Sequence, residues 1–223
     1  MTRPVRALVT GGTGRVGSAI AARLESEGWR VFAAGRRDGD LRHVEAAKAL
    51  VERVSAQLGG LDLLVHAAGD GFVPRPVEDV TEADWDAAFE VTAKATFFVT
   101  QAAAQPLRAS RGVVIAIEDV AAYQAWPSFA PHCAAKAAQA MLTRVLARAL
   151  APEVRVCGVA PGTVAVDAGQ EERRARETLL GRIGSPADVA EAVVYLARAD
   201  FVTGSTLVLD GGRLLQTGAA SDA

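Results

Sequence analysis

Arg6-Ala7-Leu8-Val9-Thr10-Gly11-Gly12-Thr13-Gly14-Arg15-Val16-Gly17 is the stretch that decides the fold. Residues 6–9 are a short apolar run of strand length, and glycines follow at once. From Arg15 onward apolar residues recur at helical spacing, so the order is strand, glycine-rich turn, helix. Such a turn lets the backbone pass close to a pyrophosphate. The helix behind it offers free N–H groups and the positive end of its dipole. A glycine-rich turn alone also occurs without a ligand; its place between the first strand and the first helix favours the nucleotide reading.

Outward from this stretch the pattern repeats. Strand-like runs fall at 6–9, 30–34, 61–66, 112–117, 155–160 and 206–209, with helical patterns at 15–27, 44–58, 82–107, 132–150 and 186–197. Alternation of this kind predicts an α/β chain: one doubly wound, Rossmann-type parallel sheet of about six strands with helices on both faces. No repeat or linker divides it, so residues 1–213 read as one domain. The Gly/Ala/Ser-rich end, 214–223, reads as a flexible tail.

Composition narrows the class. Half of the 223 residues are apolar, enough for a substantial core. A net charge of −2 with a pI near 6.0 gives no support to nucleic-acid or acidic-membrane partners. Cys133 and Cys157 have neither metal-ligand nor disulfide spacing, and no metal is expected. A strand beginning near Val5 and the lack of a long charge-free apolar run lead to the expectation of a soluble, cytoplasmic chain without a leader.

The second strand ends Ala33-Ala34-Gly35-Arg36-Arg37. An acidic residue there would hold the ribose 2′-hydroxyl of NAD. Gly35 leaves that place empty, and Arg36, Arg37 and Arg15 can pair with a 2′-phosphate, which favours NADP(H) over NAD. A solvated arginine pair is the bland alternative.

The combination of residues 10–17, His66-Ala67-Ala68-Gly69, Asp119…His132…Lys136, Pro161-Gly162 and Asp210-Gly211-Gly212 resembles the short-chain dehydrogenase/reductase family from Val5 to about Arg213. The resemblance implies that Gly11, Thr13, Arg15, Val16, Gly17, Arg36, Arg37, Asp40, Leu41, Ala68, Gly69, Lys136, Pro161, Gly162 and Val164 bind the cofactor. Ala68 and Gly69 match the family's Asn-Asn-Ala-Gly motif, while His66 and Ala67 depart from it. The Thr-Gly-x-x-x-Arg-x-Gly form of the turn and the aspartate at 119 are similar to the pteridine reductase branch, which prefers NADPH. Between Arg37 and Leu61 there is room for one long helix only. The family's third strand is therefore expected to be missing, with Asp40-Leu41 at its remnant end and the adenine pocket more exposed.

The same resemblance places the reaction at Asp119, His132 and Lys136. His132 stands where the family carries its catalytic tyrosine, Asp119 where it carries serine, Thr92 where it carries a relay asparagine, and Cys157 replaces another asparagine. Lys136 alone keeps its usual identity. Histidine is a general acid near neutral pH, but its ring nitrogen reaches less far than a phenol. A bridging water, Asp119 itself or Tyr123 is an alternative proton source. His66 is expected to be a hydrogen-bonded group at a strand end, and Cys133 a packed small residue. Residues 164–177 are expected to cover the nicotinamide, and Trp126 and Phe129 to line a pocket or an ordinary wall.

The two long helices, 82–107 and 132–150, are apolar on more than one face and are expected to bury a second face against a partner. In the family that the chain resembles they form a dimer bundle, so the resemblance implies a homodimer or homotetramer. Two functions remain open. One is an NADPH-dependent oxidoreductase reducing a carbonyl or pteridine-like C=N bond of a small-molecule substrate. The other is a catalytically silent relative that binds NADP(H), or no cofactor, as a regulatory or structural partner.

Overall fold

The apolar runs assemble as a single sheet in the computed structural model, which describes residues 5–69, 73–166 and 169–216. The strands are β1 (Arg6–Thr10), β2 (Arg30–Ala34), β3 (Leu63–His66), β4 (Val113–Ile117), β5 (Arg155–Pro161) and β6 (Thr206–Leu209). Their order is β2-β1-β3-β4-β5-β6, and every pair is parallel. The expected doubly wound sheet of six strands is therefore the observed one. β1, β3 and β4 are buried at every residue, as continuous apolar runs in a covered parallel sheet should be.

The helices are α1 (Arg15–Ser26), α2 (Val44–Leu58), α3 (Glu82–Phe89), α4 (Ala95–Ser110), α5 (Ala130–Leu150), α6 (Glu171–Ala175) and α7 (Pro186–Arg198). Two cores result. On one face Leu8, Leu64 and Val114 meet Leu50 and Val54 of α2, Val99 and Leu107 of α4, and Leu146 of α5. On the other, Val9, Val65 and Ile115 meet Ile20 and Leu24 of α1 and Val189 and Val193 of α7. α2 leads straight from the β2 side to β3, with no strand described between them. β2 is thus an edge strand and is largely uncovered.

Several boundaries differ from the sequence reading, three of them with a local physical reason. The strand expected from residue 61 begins at Leu63. Its neighbour Asp62 instead takes both oxygens to the Arg6 guanidinium, each at 2.8 Å. The helix expected at 82–107 is two helices joined by a π turn, Glu90–Lys94, and it runs on to Ser110. A single π turn keeps helical periodicity on either side, so apolar spacing does not reveal it. The boundary placed after Arg213 falls within a bonded turn, Arg213–Leu215, whose Leu214 N–H donates to Asp210 Oδ2 at 2.7 Å. The rest of the expected tail, 217–223, lies outside the described residues.

His66 closes β3 and is only 3% exposed, with Nε2 2.8 Å from Thr100 Oγ1 on α4. Burial pushes its pKa down to about 3. The unfolded chain binds a proton near pH 6.5 while the folded chain does not, so stability is unaffected by this group above that pH. Below it, the contribution falls by about 1.4 kcal/mol per pH unit toward pH 3. Urea unfolding at pH 7.5 and pH 5 should therefore show a loss of about 2 kcal/mol that disappears in His66→Gln. An equal pH dependence in both proteins would refute this account of His66.

Candidate active site

Parallel strands end on one edge of the sheet, and here the chain reverses its direction of winding between β1 and β3. The Thr10–Gly17 loop lies at that reversal. Gly11 has φ +65°, and a Cβ on it would lie 2.5 Å from Ala67 O. A Cβ on Gly17 would lie 2.1 Å from Gly11 O. Both glycines let the loop fold tightly against the end of β3. α1 then starts at Arg15, behind Gly14, with no capping side chain and no acidic residue in its first turn. Thr81 and Ser185 cap α3 and α7, while α2, α4, α5 and α6 are, like α1, without a side-chain cap. A helix end without a side-chain cap behind a glycine loop fits a diphosphate.

The end of β2 holds a feature that the sequence reading missed. Arg36–Asp38 form one tight turn, and Gly35 N–H donates to Asp38 Oδ2 at 2.9 Å. A carboxylate therefore does return to this strand end, where it pairs with Arg53 at 3.2 Å. Arg36 and Arg37 are exposed beside it. Asp40 pairs with Arg42 at 2.7 Å, which holds its carboxyl below the usual range, and Leu41 packs against the α2 core. Arg15 and Thr13 are exposed at the loop, and Val16 packs under it. Ala68 and Gly69 follow β3, while Pro161, Gly162 and Val164 leave β5 at the same edge.

The residues expected to carry chemistry are partly brought together. Asp119 follows β4 and accepts a hydrogen bond from Ala121 N–H at 2.9 Å through Oδ1. Its Oδ2 is 3.3 Å from His132 Nε2, in the first turns of α5. Both side chains are largely buried. Trp126 lies parallel to the imidazole, with ring centroids 6.4 Å apart at 5°, and Phe129 meets the indole edge-on.

Lys136 is one turn along the same helix but turns inward. Its Nζ donates to Ile117 O at 2.9 Å, to Gln139 Oε1 at 3.0 Å and to Glu118 O at 3.4 Å. Full burial lowers its pKa, and the charges of Asp119 and Glu118 oppose that fall. Gln139 passes the contact on to Thr96 Oγ1 at 2.9 Å. Thr92 is buried within the π turn. Cys157 faces the α7 core instead, its thiol 3.3 Å from Val202 O and pushed up by burial. Burial likewise raises the Cys133 thiol, as expected of a packed group.

Two further polar residues escaped the sequence reading. Glu118, 2% exposed, accepts from Thr143 Oγ1 at 2.6 Å, Thr206 Oγ1 at 3.0 Å and Tyr123 OH at 3.4 Å. Its carboxylate lies over Gly158 of β5, where a Cβ would come within 2.2 Å of Oε1. A glycine opposite an acidic residue at a strand end was the signal available. Tyr123 is thus engaged by Glu118, and burial first, then that carboxylate, raises its pKa. Arg213 is the second: it pairs with Glu177 at 3.1 Å and donates to Thr163 Oγ1 at 2.9 Å. Residues 167–168 of the expected cover lie outside the described residues; α6 occupies its outer part. Among the described residues no group of His, Cys, Asp or Glu is placed to hold a metal, and no helix is long and apolar enough to cross a membrane.

Comparison with known proteins agrees with this geometry. Residues 20–213 match the family model described as enoyl-(acyl carrier protein) reductase. Cyclopentanol dehydrogenase of Comamonas testosteroni is 36% identical over 174 residues, 73% of this chain and 69% of that protein. Human dehydrogenase/reductase SDR family member 4 is 31% identical, over 92% of this chain and 86% of its own length. A dehydrogenase/reductase structure from Sinorhizobium meliloti 1021 superposes with a TM-score of 0.85 at 31% identity, covering 95% of this chain and 96% of that one. A 7α-hydroxysteroid dehydrogenase in complex with NADH and 7-oxo glycochenodeoxycholic acid gives 0.84 at 26% identity, covering 93% of each chain. A glycine cradle at the strand-order reversal, a polar centre between β4 and α5, and matches along nearly the whole length lead to one conclusion: this chain belongs to the short-chain dehydrogenase/reductase family, whose members are oxidoreductases that use a nicotinamide cofactor.

Proposed function

We propose that the protein is an NADPH-dependent reductase of a small-molecule carbonyl, with residues 1 to about 213 forming the cofactor-binding domain. The observation that carries this reading is that the uncapped start of α1 and the Asp119–His132 pair open on the same edge of one parallel sheet. The residues present fit a dinucleotide: Gly11, Thr13, Val16 and Gly17 for the diphosphate, Ala68, Gly69, Pro161, Gly162 and Val164 along its course. Arg36, Arg37 and Arg15 favour a 2′-phosphate, and Arg53 neutralises the Asp38 carboxylate that would otherwise repel it. With β2 at the sheet edge, Asp40 and Leu41 border an open adenine pocket.

When bound, such a cofactor supplies hydride to the substrate carbon. The chain supplies the proton for the substrate oxygen. His132, held to Asp119 through Nε2, is the donor of that proton. Here His132 replaces the family's tyrosine and Asp119 its serine. The named relatives, a cyclopentanol and a steroid dehydrogenase among them, support a carbonyl or alcohol. A pteridine-like C=N bond is the second substrate class, supported by the flat Trp126–His132 stack and by Asp119. The exposed Met141 and Val145 on α5 suit a homodimer or homotetramer, and the modest net charge suits a cytoplasmic protein without nucleic-acid partners.

The second reading is a silent relative that keeps the nucleotide cradle. The Lys136 ammonium favours it, because its donors already reach Ile117 O, Glu118 O and Gln139 Oε1.

Fluorescence titration should show NADPH binding more tightly than NADH. Replacing Arg36 and Arg37 by alanine should weaken NADPH by roughly 10–100-fold and leave NADH nearly unchanged. Absence of NADPH binding would end both cofactor-dependent readings. Against a panel of ketones and pterins, His132→Asn should lower kcat/KM on the order of 10²–10⁴-fold without altering NADPH affinity. A variant as active as the parent would remove His132 from the mechanism.

A further inference from the structure

The residue immediately after the last glycine pair, Arg213, gathers four separate segments of the chain around one cation. The Asp210 carboxylate accepts from Gly212 N–H at 2.8 Å and Leu214 N–H at 2.7 Å, and Gly212 has φ +83°. This turn aims Arg213 back across the edge of the sheet. Its side chain is 13% exposed. One guanidinium nitrogen meets Glu177 Oε2 at 3.1 Å, another meets Thr163 Oγ1 at 2.9 Å, and the Cζ atom lies 5.2 Å from the Trp126 ring centroid. Glu177 is itself held by Arg174 at 2.9 Å. The indole N–H donates to Gln124 Oε1 at 3.0 Å, and the ring lies parallel to the His132 imidazole with centroids 6.4 Å apart.

We propose that Arg213 is a positioning residue that acts on His132 through Trp126. The guanidinium holds the indole in place by a desolvated cation–π contact, and the indole lies parallel to the imidazole, which also meets Asp119. Arginine is suited to this because one planar group can lie against a ring while it pairs with a carboxylate by charge and donates to a hydroxyl; lysine offers a point charge without that plane. The same cation ties the chain after α6, through Glu177, to the segment leaving β5, through Thr163. The geometry of the Asp119–His132 pair is thereby made dependent on the packing of residues 174–177. Only the kinetic consequence rests on the proposed acid–base role of His132; the structural consequence does not.

The three histidines allow a readout without activity. His43 is 76% exposed, His66 is buried, and His132 lies under Trp126. Modification by diethyl pyrocarbonate, followed by peptide mass, should be fast at His43, negligible at His66 and slow at His132. Arg213→Gln should speed His132 by about tenfold relative to His43, the loss expected for a desolvated cation–π contact. Arg213→Lys, which keeps a cation for Glu177, should retain the parent's resistance to trypsin at Arg173, Arg174 and Arg176 yet still expose His132. Trp126→Leu, which leaves the Arg213–Glu177 pair intact, should expose His132 equally and serves if Arg213→Gln does not fold. Where turnover is measurable, Arg213→Gln should lower kcat with little change in KM. An unchanged His132 rate in Arg213→Lys and Trp126→Leu would overturn the proposal, as would a change in KM alone. Inactivity of the parent protein toward every substrate would count against the reductase reading while leaving the modification rates to decide this one.

Discussion

Parallel strands cannot be joined by a tight turn, so each must be followed by a crossover that returns the chain to the same end of the sheet. β1 and β3 are paired in this way at the centre, Ala7 opposite Leu63 and Thr10 opposite His66. That pairing sends the β1 crossover to one face and the β3 crossover to the other. The cleft between them opens at the carboxyl ends, where the Thr10–Gly17 loop lies. The cradle, the Asp119–His132 pair and the segment after β5 share one edge for this reason, and each arrives from a different strand. The connection between β2 and β3 lies away from it, because β2 stands at the margin of the sheet.

On this frame the polar groups near the ends of β4 and α5 fall into separate sets. Asp119 and His132 face each other, whereas Lys136 is drawn into a buried chain of acceptors that runs through Gln139 to Thr96. Glu118, beside Asp119 in sequence, points to the opposite side and is satisfied by three hydroxyl groups. Buried charges persist only when such partners are present, and here each has them. Trp126 and Arg213 add a layer above His132 that joins the β4–α5 connection to the chain after β6. The site's geometry thus depends on contacts between segments far apart in sequence.

The sheet, its strand number and the glycine cradle were legible because they follow from local rules: apolar runs of strand length, glycines at the turn, helical spacing behind it. The pairing of Asp119 with His132 was legible from spacing only once a resemblance supplied the frame. The π turn was not, since it leaves the helical period nearly intact on both sides. Neither was the return of Asp38 to the end of β2, which depends on a three-residue turn and on Arg53 from α2. The direction of Lys136 was equally hidden. Its position on the helix was known, but the acceptors that draw it inward belong to β4 and to Gln139.

The sequence by itself determined the class of fold and the place of the glycine-rich turn between the first strand and the first helix. Periodicity and glycine placement act over a few neighbouring residues, and that range is enough for those features. The tertiary structure decided which polar groups meet. A side chain's partners come from whatever the sheet and helices bring within about 3 Å, and hydrogen-bond energies fall steeply beyond that distance. Hence the engagement of Lys136 with backbone carbonyls, the enclosure of Glu118 and the convergence on Arg213 became visible only when residues 163, 177 and 213 stood together with Trp126.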